Sequence, residues 1–148
     1  MRCVNYARVL PVLALLVMSG CSTAYQKGHV NPLGWSYASG YKEAPGPGGL
    51  IKVTYQGSQW TLMHQVETYA LYRCAEIAQR ERAPYFGLYR TLPDALAGRR
   101  SSSVQPTPLL GVPHAEVHIS LHHAAAPGLL SAAEVLARLG PAVRAGVP

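Results

Sequence analysis

Residues 61–82 read TLMHQVETYALYRCAEIAQRER and carry the clearest helical pattern in the chain. Apolar side chains recur there at spacings of three and four residues, which places them on one face of a helix. They are Met63, Val66, Tyr69, Ala70, Cys74, Ile77 and Ala78. Thr61 is the expected N-cap, and Pro84 is expected to end the helix because it restricts the residue before it. The pattern therefore predicts one amphipathic helix with a buried face.

Three other segments predict strands, namely residues 50–56, 85–91 and 115–123. In the first and third, apolar and polar residues alternate, which is typical of a strand with one buried face. The second is rich in aromatic residues, which favour strands. Between the second and third strands, residues 92–113 contain many Gly, Pro and Ser residues and are expected to form a long mobile connection.

A second, shorter helix is predicted after Pro127 and Gly128. Ser131 and Glu134 match the capping box, in which each side chain satisfies a free backbone N–H group. Gly140 and Pro141 are expected to end this helix. The order strand, helix, strand, strand, helix predicts an α+β domain, with a three-stranded sheet and one long and one short helix on one face.

The N-terminus has the features of an export signal. Arg2 and Arg8 supply positive charge, and residues 9–18 form an uncharged apolar run of ten residues. A helix that spans a bilayer needs about 20 apolar residues, so this run is too short for one. Such a segment is normally removed from the mature protein.

The residues that end this run, Met18-Ser19-Gly20-Cys21, resemble a bacterial lipobox. The resemblance implies cleavage between Gly20 and Cys21, a diacylglyceryl thioether on Cys21, and acylation of the new amino terminus. Ser22 stands where an Asp commonly signals retention in the inner membrane. The expected location is therefore the cell outer membrane, on its periplasmic face, with membrane lipid bound through acylated Cys21.

Composition divides the rest of the chain. We expect a signal peptide at residues 1–20, a Gly/Pro-rich tether at 21–49, the α+β domain at 50–141 and a C-terminal tail at 142–148. A flexible tether of this length would span about 30 Å. In the alternative interpretation the tether is a strand-like arm that packs on the domain through Trp35 and Tyr37.

Length and charge bound the class of protein. The 148 residues suit one domain, and 49% hydrophobic with 14% charged residues excludes a disordered acidic tail or a charge-rich coiled coil. The net charge is +6, and removal of Arg2 and Arg8 with the signal would lower it to +4. That modest excess is weak evidence for an acidic partner such as lipid headgroups or polymer, and no nucleic-acid partner is expected. With Cys3 removed and Cys21 acylated, Cys74 has no disulfide partner and is expected to be a buried thiol.

Several motifs of the mature chain resemble a family of small uncharacterised envelope lipoproteins from Gram-negative bacteria. The motifs are Gly40-Tyr41, residues 51–57, Thr61, residues 69–76 (YALYRCAE), Tyr85-Phe86, residues 133–136 (AEVL) and residues 139–141 (LGP). This resemblance implies a location and a fold but no activity, substrate or cofactor.

Candidate sites for chemistry are sparse. His114, His118, His122 and His123 are residue types that bind metals, but on a strand His118 and His122 would lie about 13 Å apart, too far for one ion. Arg73 and Glu76 are one helical turn apart, and we interpret them as an ion pair that orients the helix on the sheet rather than as the lining of a pocket.

Catalytic motifs are not evident. Ser101–Ser103 lies in the predicted connection without a partner His in any known motif, and no phosphate-binding or dinucleotide-binding loop occurs. Arg99 and Arg100 are interpreted as solvated loop residues. The sequence therefore predicts a non-enzymatic interaction module without a cofactor, with an envelope protein or peptidoglycan as its candidate partner. The alternative is a small-ligand or metal-binding lipoprotein, and an envelope hydrolase ranks below both.

Overall fold

The computed structural model describes residues 25–28 and 39–146. In this part of the chain, six strands and three α-helices form an α+β domain. The elements are β1 (Gly40–Pro45), β2 (Ile51–Gln56), α1 (Met63–Arg80), β3 (Tyr85–Tyr89), α2 (Leu92–Leu96), β4 (Thr107–Leu109), β5 (Val112–His122), β6 (Leu130–Ser131) and α3 (Ala132–Ala145). A short 3-10 turn, Pro47–Gly49, joins β1 to β2.

The longest strand, β5, lies at the centre of the sheet. The strand order is β1-β2-β5-β3-β6, β4 forms a hairpin with β5, and all neighbouring strands are antiparallel. Because β2 and β3 are both antiparallel to β5, they run parallel to each other on its two sides. Helix α1 connects them, which makes a split β–α–β unit.

The predicted α+β class is confirmed, but the predicted three-stranded sheet is wrong, because β1, β4 and β6 join the three expected strands. These three strands are short or contain Gly and Pro, so no local sequence pattern predicts them. They form because they pair with a neighbouring strand. Strand β1 lies inside the segment expected to be a tether. It pairs along its whole length with β2, from Gly40 opposite Gln56 to Pro45 opposite Ile51.

The start of α1 differs from the prediction. Thr61 is not the N-cap, since its Oγ1 atom accepts the N–H of Ser58 at 2.8 Å and so completes the turn before the helix. Leu62 occupies the N-cap position, and its N–H donates to Oε1 of Gln65 at 2.9 Å. The glutamine side chain thus satisfies a backbone group at the helix start.

Helix α3 starts as predicted and ends later. The Ser131 side chain accepts the N–H of Glu134 at 3.4 Å, which is the serine half of the predicted capping box. Pro141 does not end the helix, which continues to Ala145 and ends at Gly146 with a left-handed φ of 74°. Val143, beyond the proline, is buried in the core. This burial offsets the cost of the backbone hydrogen bond that is lost because Pro141 has no N–H group.

The predicted mobile connection at residues 92–113 contains α2 and β4. The side chain of Thr91 accepts the N–H of Asp94 and so caps α2. Further along, Val104 is almost fully buried and belongs to the core. A short cap and one apolar anchor therefore order a segment that its composition alone assigns to a loop.

The core lies between the sheet and α1. The buried face of α1 contributes Val66, Tyr69, Cys74 and Ile77, and the sheet contributes Val53, Tyr55, Phe86, Leu88, Val117 and Ile119. Helix α3 adds Val135 and Val143 to the same cluster. Cys74 is fully buried and unpaired among the described residues, which confirms its predicted role. Burial raises the pKa of its thiol to about 12.

Candidate functional site

The predicted lipidation residue Cys21 and the predicted cleavage site between Gly20 and Cys21 lie outside the described residues. The signal peptide and the two aromatic residues of the expected arm, Trp35 and Tyr37, also lie outside them. The described chain begins at Tyr25, four residues after Cys21. Residues 25–28, which we call the docked arm, contact the domain. Part of the segment expected to be a tether is therefore bound to the fold.

Backbone pairing holds the docked arm beside β1. Lys27 forms a parallel bridge with Tyr41. The N–H of Gly28 donates to the carbonyl of Tyr41 at 2.9 Å, and the N–H of Tyr41 donates to the carbonyl of Gln26 at 3.0 Å. The contact requires Gly40, because a Cβ there would lie 2.5 Å from the Gln26 carbonyl oxygen and 2.6 Å from the Gly28 nitrogen.

Tyr25 anchors the arm in an aromatic cluster. Its ring centroid lies 5.1 Å from that of Tyr41, 5.6 Å from that of Tyr69 and 5.5 Å from that of Tyr72. These separations are typical of favourable aromatic pairs. The Tyr25 hydroxyl donates to Oε2 of Glu76. Burial, reinforced by this carboxylate, raises the pKa of Tyr25 well above its usual range, so the hydroxyl remains a donor.

Arg73 connects the arm, the helix and the sheet. It donates to Glu76 at 2.8 Å, which confirms the predicted pair, and to Glu43 of β1 at 3.0 Å. Its Cζ atom lies 4.0 Å from the ring centroid of Tyr41. Burial disfavours its charge, but its two carboxylate partners and Tyr25 outweigh burial and raise the pKa of Arg73.

Glu43 also accepts a hydrogen bond from a second arginine. Arg80 donates to the same Oε1 atom of Glu43 at 2.9 Å. The hydrogen bond from Arg80, with a contribution from Arg73, holds the pKa of Glu43 below its usual value despite partial burial. The roles of Glu43 and Gly40 were not predicted, because both residues lie in a segment with a tether's composition. Gly40 entered only through the Gly40-Tyr41 motif, and the Tyr-x-Glu alternation at residues 41–43 was a further signal.

The strand histidines lie on the other face of the sheet. His114, His118 and His122 lie four residues apart on β5, opposite in phase to the buried Val117 and Ile119. Burial lowers the pKa of His118 and of His114. No group of three metal-ligating side chains occurs within residues 25–28 and 39–146.

One polar chain on that face was not predicted. Ser120 Oγ lies 2.8 Å from Nε2 of His122 and 3.3 Å from the Tyr89 hydroxyl. Gly87 stands directly opposite Ser120, and a Cβ at Gly87 would lie 2.7 Å from the serine oxygen. Among the described residues, no hydrogen bond in this set joins a carboxylate to His122. The set therefore lacks the third member of a catalytic triad.

The loop serines and arginines have structural partners. Ser101 Oγ donates to the Ser103 carbonyl at 2.8 Å and accepts Nε of Arg90 at 3.1 Å. Arg99 makes two hydrogen bonds to Asp94, and Arg100 donates to the Pro127 carbonyl at 2.8 Å. These groups hold the loop together, and Ser101 has no histidine partner in this network.

Among the grooves on the described surface, two contain several apolar residues. One, of about 600 Å³, is lined by Leu129, Leu130, Ser131, Glu134, Val135, Ala137 and Arg138. A more apolar groove of about 310 Å³ lies between the β1–β2 turn and α2. Neither lining set contains a nucleophile beside a histidine. Within the described ranges no helix is long and apolar enough to cross a membrane.

Comparison of the chain with known protein families, with curated proteins and with solved structures finds no match.

Proposed function

We propose that this protein is a non-enzymatic outer-membrane lipoprotein, and that its α+β domain is a binding module on the periplasmic face. Lipid on Cys21 would supply the anchor, and an envelope protein or peptidoglycan the partner. The lipobox-like residues 18–21 and the resemblance to envelope lipoproteins favour this proposal. The observation that carries it is the docked arm, which fastens the domain to the chain directly after the proposed anchor.

The arm sets the distance between anchor and domain. Cys21 and Tyr25 are separated by four peptide links, which span at most about 14 Å. A free tether of residues 21–49 would instead allow about 30 Å. With the arm docked on Tyr41, the domain would be held close to the membrane surface rather than far into the periplasm.

Membrane attachment would give a non-enzymatic binding domain a way to act. Two or more acyl chains make an anchor effectively stable, whereas one chain anchors marginally. An anchored domain meets other envelope components at a raised effective concentration, so weak contacts suffice. The charged residues Arg73, Glu43 and Glu76 serve the arm itself, which supports a structural role for this network over a catalytic one.

The test is intact mass spectrometry of the protein isolated from its native membrane. We expect the mass of residues 21–148 plus acyl chains. Cys21→Ala should abolish acylation and leave the leader uncleaved, whereas the matched variant Cys74→Ala should remain acylated. An unacylated wild-type protein would overturn the proposal.

A further inference from the structure

One end of the sheet presents large apolar side chains to solvent. We call this set the apolar end; its exposed fractions are 75% for Trp60, 53% for Leu62, 41% for Met63, 46% for Leu109 and 80% for Leu110. Isolated exposed apolar residues are common on soluble proteins, but contiguous sets mark contact with another surface.

The loop that follows β2 and the turn of the β4–β5 hairpin lie at the same end of the sheet. Gln56, the last residue of β2, lies opposite His114 near the start of β5, and Gly57 N–H donates to the Pro113 carbonyl at 2.8 Å. Trp60 and Leu62 lie in the loop after Gly57, and Met63 begins α1. Leu109 and Leu110 lie in the β4–β5 hairpin, which extends past His114. The two loops therefore leave the sheet side by side.

The apolar end carries no formal charge. Residues 57–64 (GSQWTLMH) and 107–114 (TPLLGVPH) contain no Asp, Glu, Lys or Arg. A protein surface that remains in water is normally interspersed with charges. An uncharged set that includes a tryptophan matches the lipid–water interface, where the indole ring is half apolar and keeps one polar N–H group.

The docked arm points to the same end. Lys27 pairs parallel to β1, so the chain before it leads toward Gly40, which lies opposite Gln56 at the end of β2. Tyr25 contacts Tyr69, six residues or about 9 Å from the start of α1. Cys21, at most about 14 Å from Tyr25, can therefore reach the level of the apolar end.

We infer that the apolar end rests on the bilayer and places Trp60, Leu62 and Leu110 in its interfacial region. This inference rests on the proposed lipid anchor. Because the docked arm leads toward the apolar end, an anchor at Cys21 would bring the bilayer next to this surface. Insertion of the side chains would fix the orientation of the domain, which an acyl chain alone leaves free. The opposite end, with the β1–β2 turn and Leu96, would then face the periplasm.

The experiment uses the acylated protein in vesicles of phosphatidylethanolamine and phosphatidylglycerol. The chain has two tryptophans, Trp35 and Trp60, so Trp35→Phe leaves Trp60 as the single reporter. We expect blue-shifted emission, several-fold stronger quenching by brominated lipid than in the control below, and protection from aqueous iodide. Leu62→Gln with Leu110→Gln in this background should reduce the quenching by brominated lipid.

The matched control moves the reporter to the other end. In a background of Trp35→Phe and Trp60→Phe, Leu96→Trp replaces a side chain that is 91% exposed beside the β1–β2 turn. Its fluorescence should be quenched by iodide and not by brominated lipid. Circular dichroism of each variant tests whether the fold is retained.

The outcomes separate the two proposals. Acylated protein that floats with the vesicles, but whose Trp60 is quenched by iodide as strongly as Leu96→Trp, would overturn the inference and leave the lipid anchor standing. A blue shift that depends on protein density and is insensitive to brominated lipid would indicate contact between two copies and would also overturn it. Protein that is not acylated overturns both proposals.

Discussion

The Arg73 guanidinium lies over the ring of Tyr41, with its Cζ atom 4.0 Å from the ring centroid. Both residues belong to the contact between the docked arm and the domain, since Tyr41 pairs with Lys27 and Arg73 shares Glu76 with Tyr25. A cation over an aromatic face is attracted by the negative face of the ring. The pair therefore couples the first strand to the helix at the point where the arm binds.

Arg73→Met should destabilise the domain by about 3 kcal/mol, because it leaves Glu43 and Glu76 without their shared partner in a partly buried site. The Arg73 side chain is 15% exposed. The matched variant Arg80→Met removes a 50% exposed partner of the same Glu43 and should cost less than about 1 kcal/mol. Urea denaturation followed by circular dichroism measures both. Equal losses would contradict the central role of Arg73.

The network also shows what the sequence could and could not predict. Arg73 and Glu76 lie on one predicted helix, so their pairing follows from helical spacing. Glu43 comes from a strand that has Gly at its start and Pro at its end, and only pairing with β2 reveals it. Similarly, Arg80 lies on the predicted helix, but its partner Glu43 is 37 residues away in the sequence, and no local pattern identifies it.

The helix ends show the same contrast between features set by local sequence and features set by distant contacts. Ser131 and Glu134 form a local motif, and the predicted cap is present. At Pro141 the local rule predicts a helix end, but burial of Val143 keeps the helix intact. The class of fold and the long helix were therefore predictable from periodicity, whereas edge strands and the arm depend on contacts distant in the sequence.

Gly40→Ala should release the docked arm. Gly40 has a φ of +137°, and an added Cβ would overlap the backbone of Gln26 and Gly28. Hydrogen exchange at the Gly28 amide, which is bonded to the Tyr41 carbonyl in the wild type, should accelerate by about tenfold or more. Native-state exchange read by NMR or mass spectrometry measures the change.

Gly48→Ala is the control for this variant. Gly48 also has a positive φ, of 65°, but an added Cβ meets nothing within 4 Å. It should cost about 1 kcal/mol of backbone strain and leave the Gly28 amide protected. Protection retained in Gly40→Ala would show that the arm does not depend on close approach at Gly40.

Cys74 should resist alkylation in the folded protein. It is fully buried, and its pKa of about 12 leaves almost no thiolate at neutral pH, whereas the thiolate is the reactive form. Iodoacetamide should therefore label Cys74 several orders of magnitude more slowly in buffer than in urea. Peptide mapping by mass spectrometry assigns the label to Cys74 and distinguishes it from the other cysteines. Comparable labelling in both conditions would contradict the burial of the thiol.

The domain should lose stability as the pH falls below about 6.5, the ordinary pKa of histidine. Burial, with a contribution from Lys52 and against Glu116, lowers the pKa of His118 in the folded state. Between the folded and unfolded pKa values the unfolded chain binds more protons, so stability rises with pH in that window and levels off above it. His118→Gln should flatten the dependence of the free energy of unfolding on pH between 7 and 5, and the exposed His123→Gln is the matched variant for comparison. Since burial also lowers the pKa of His114, a smaller slope should remain in His118→Gln. An unaltered slope in that variant would show that His118 does not couple folding to protons.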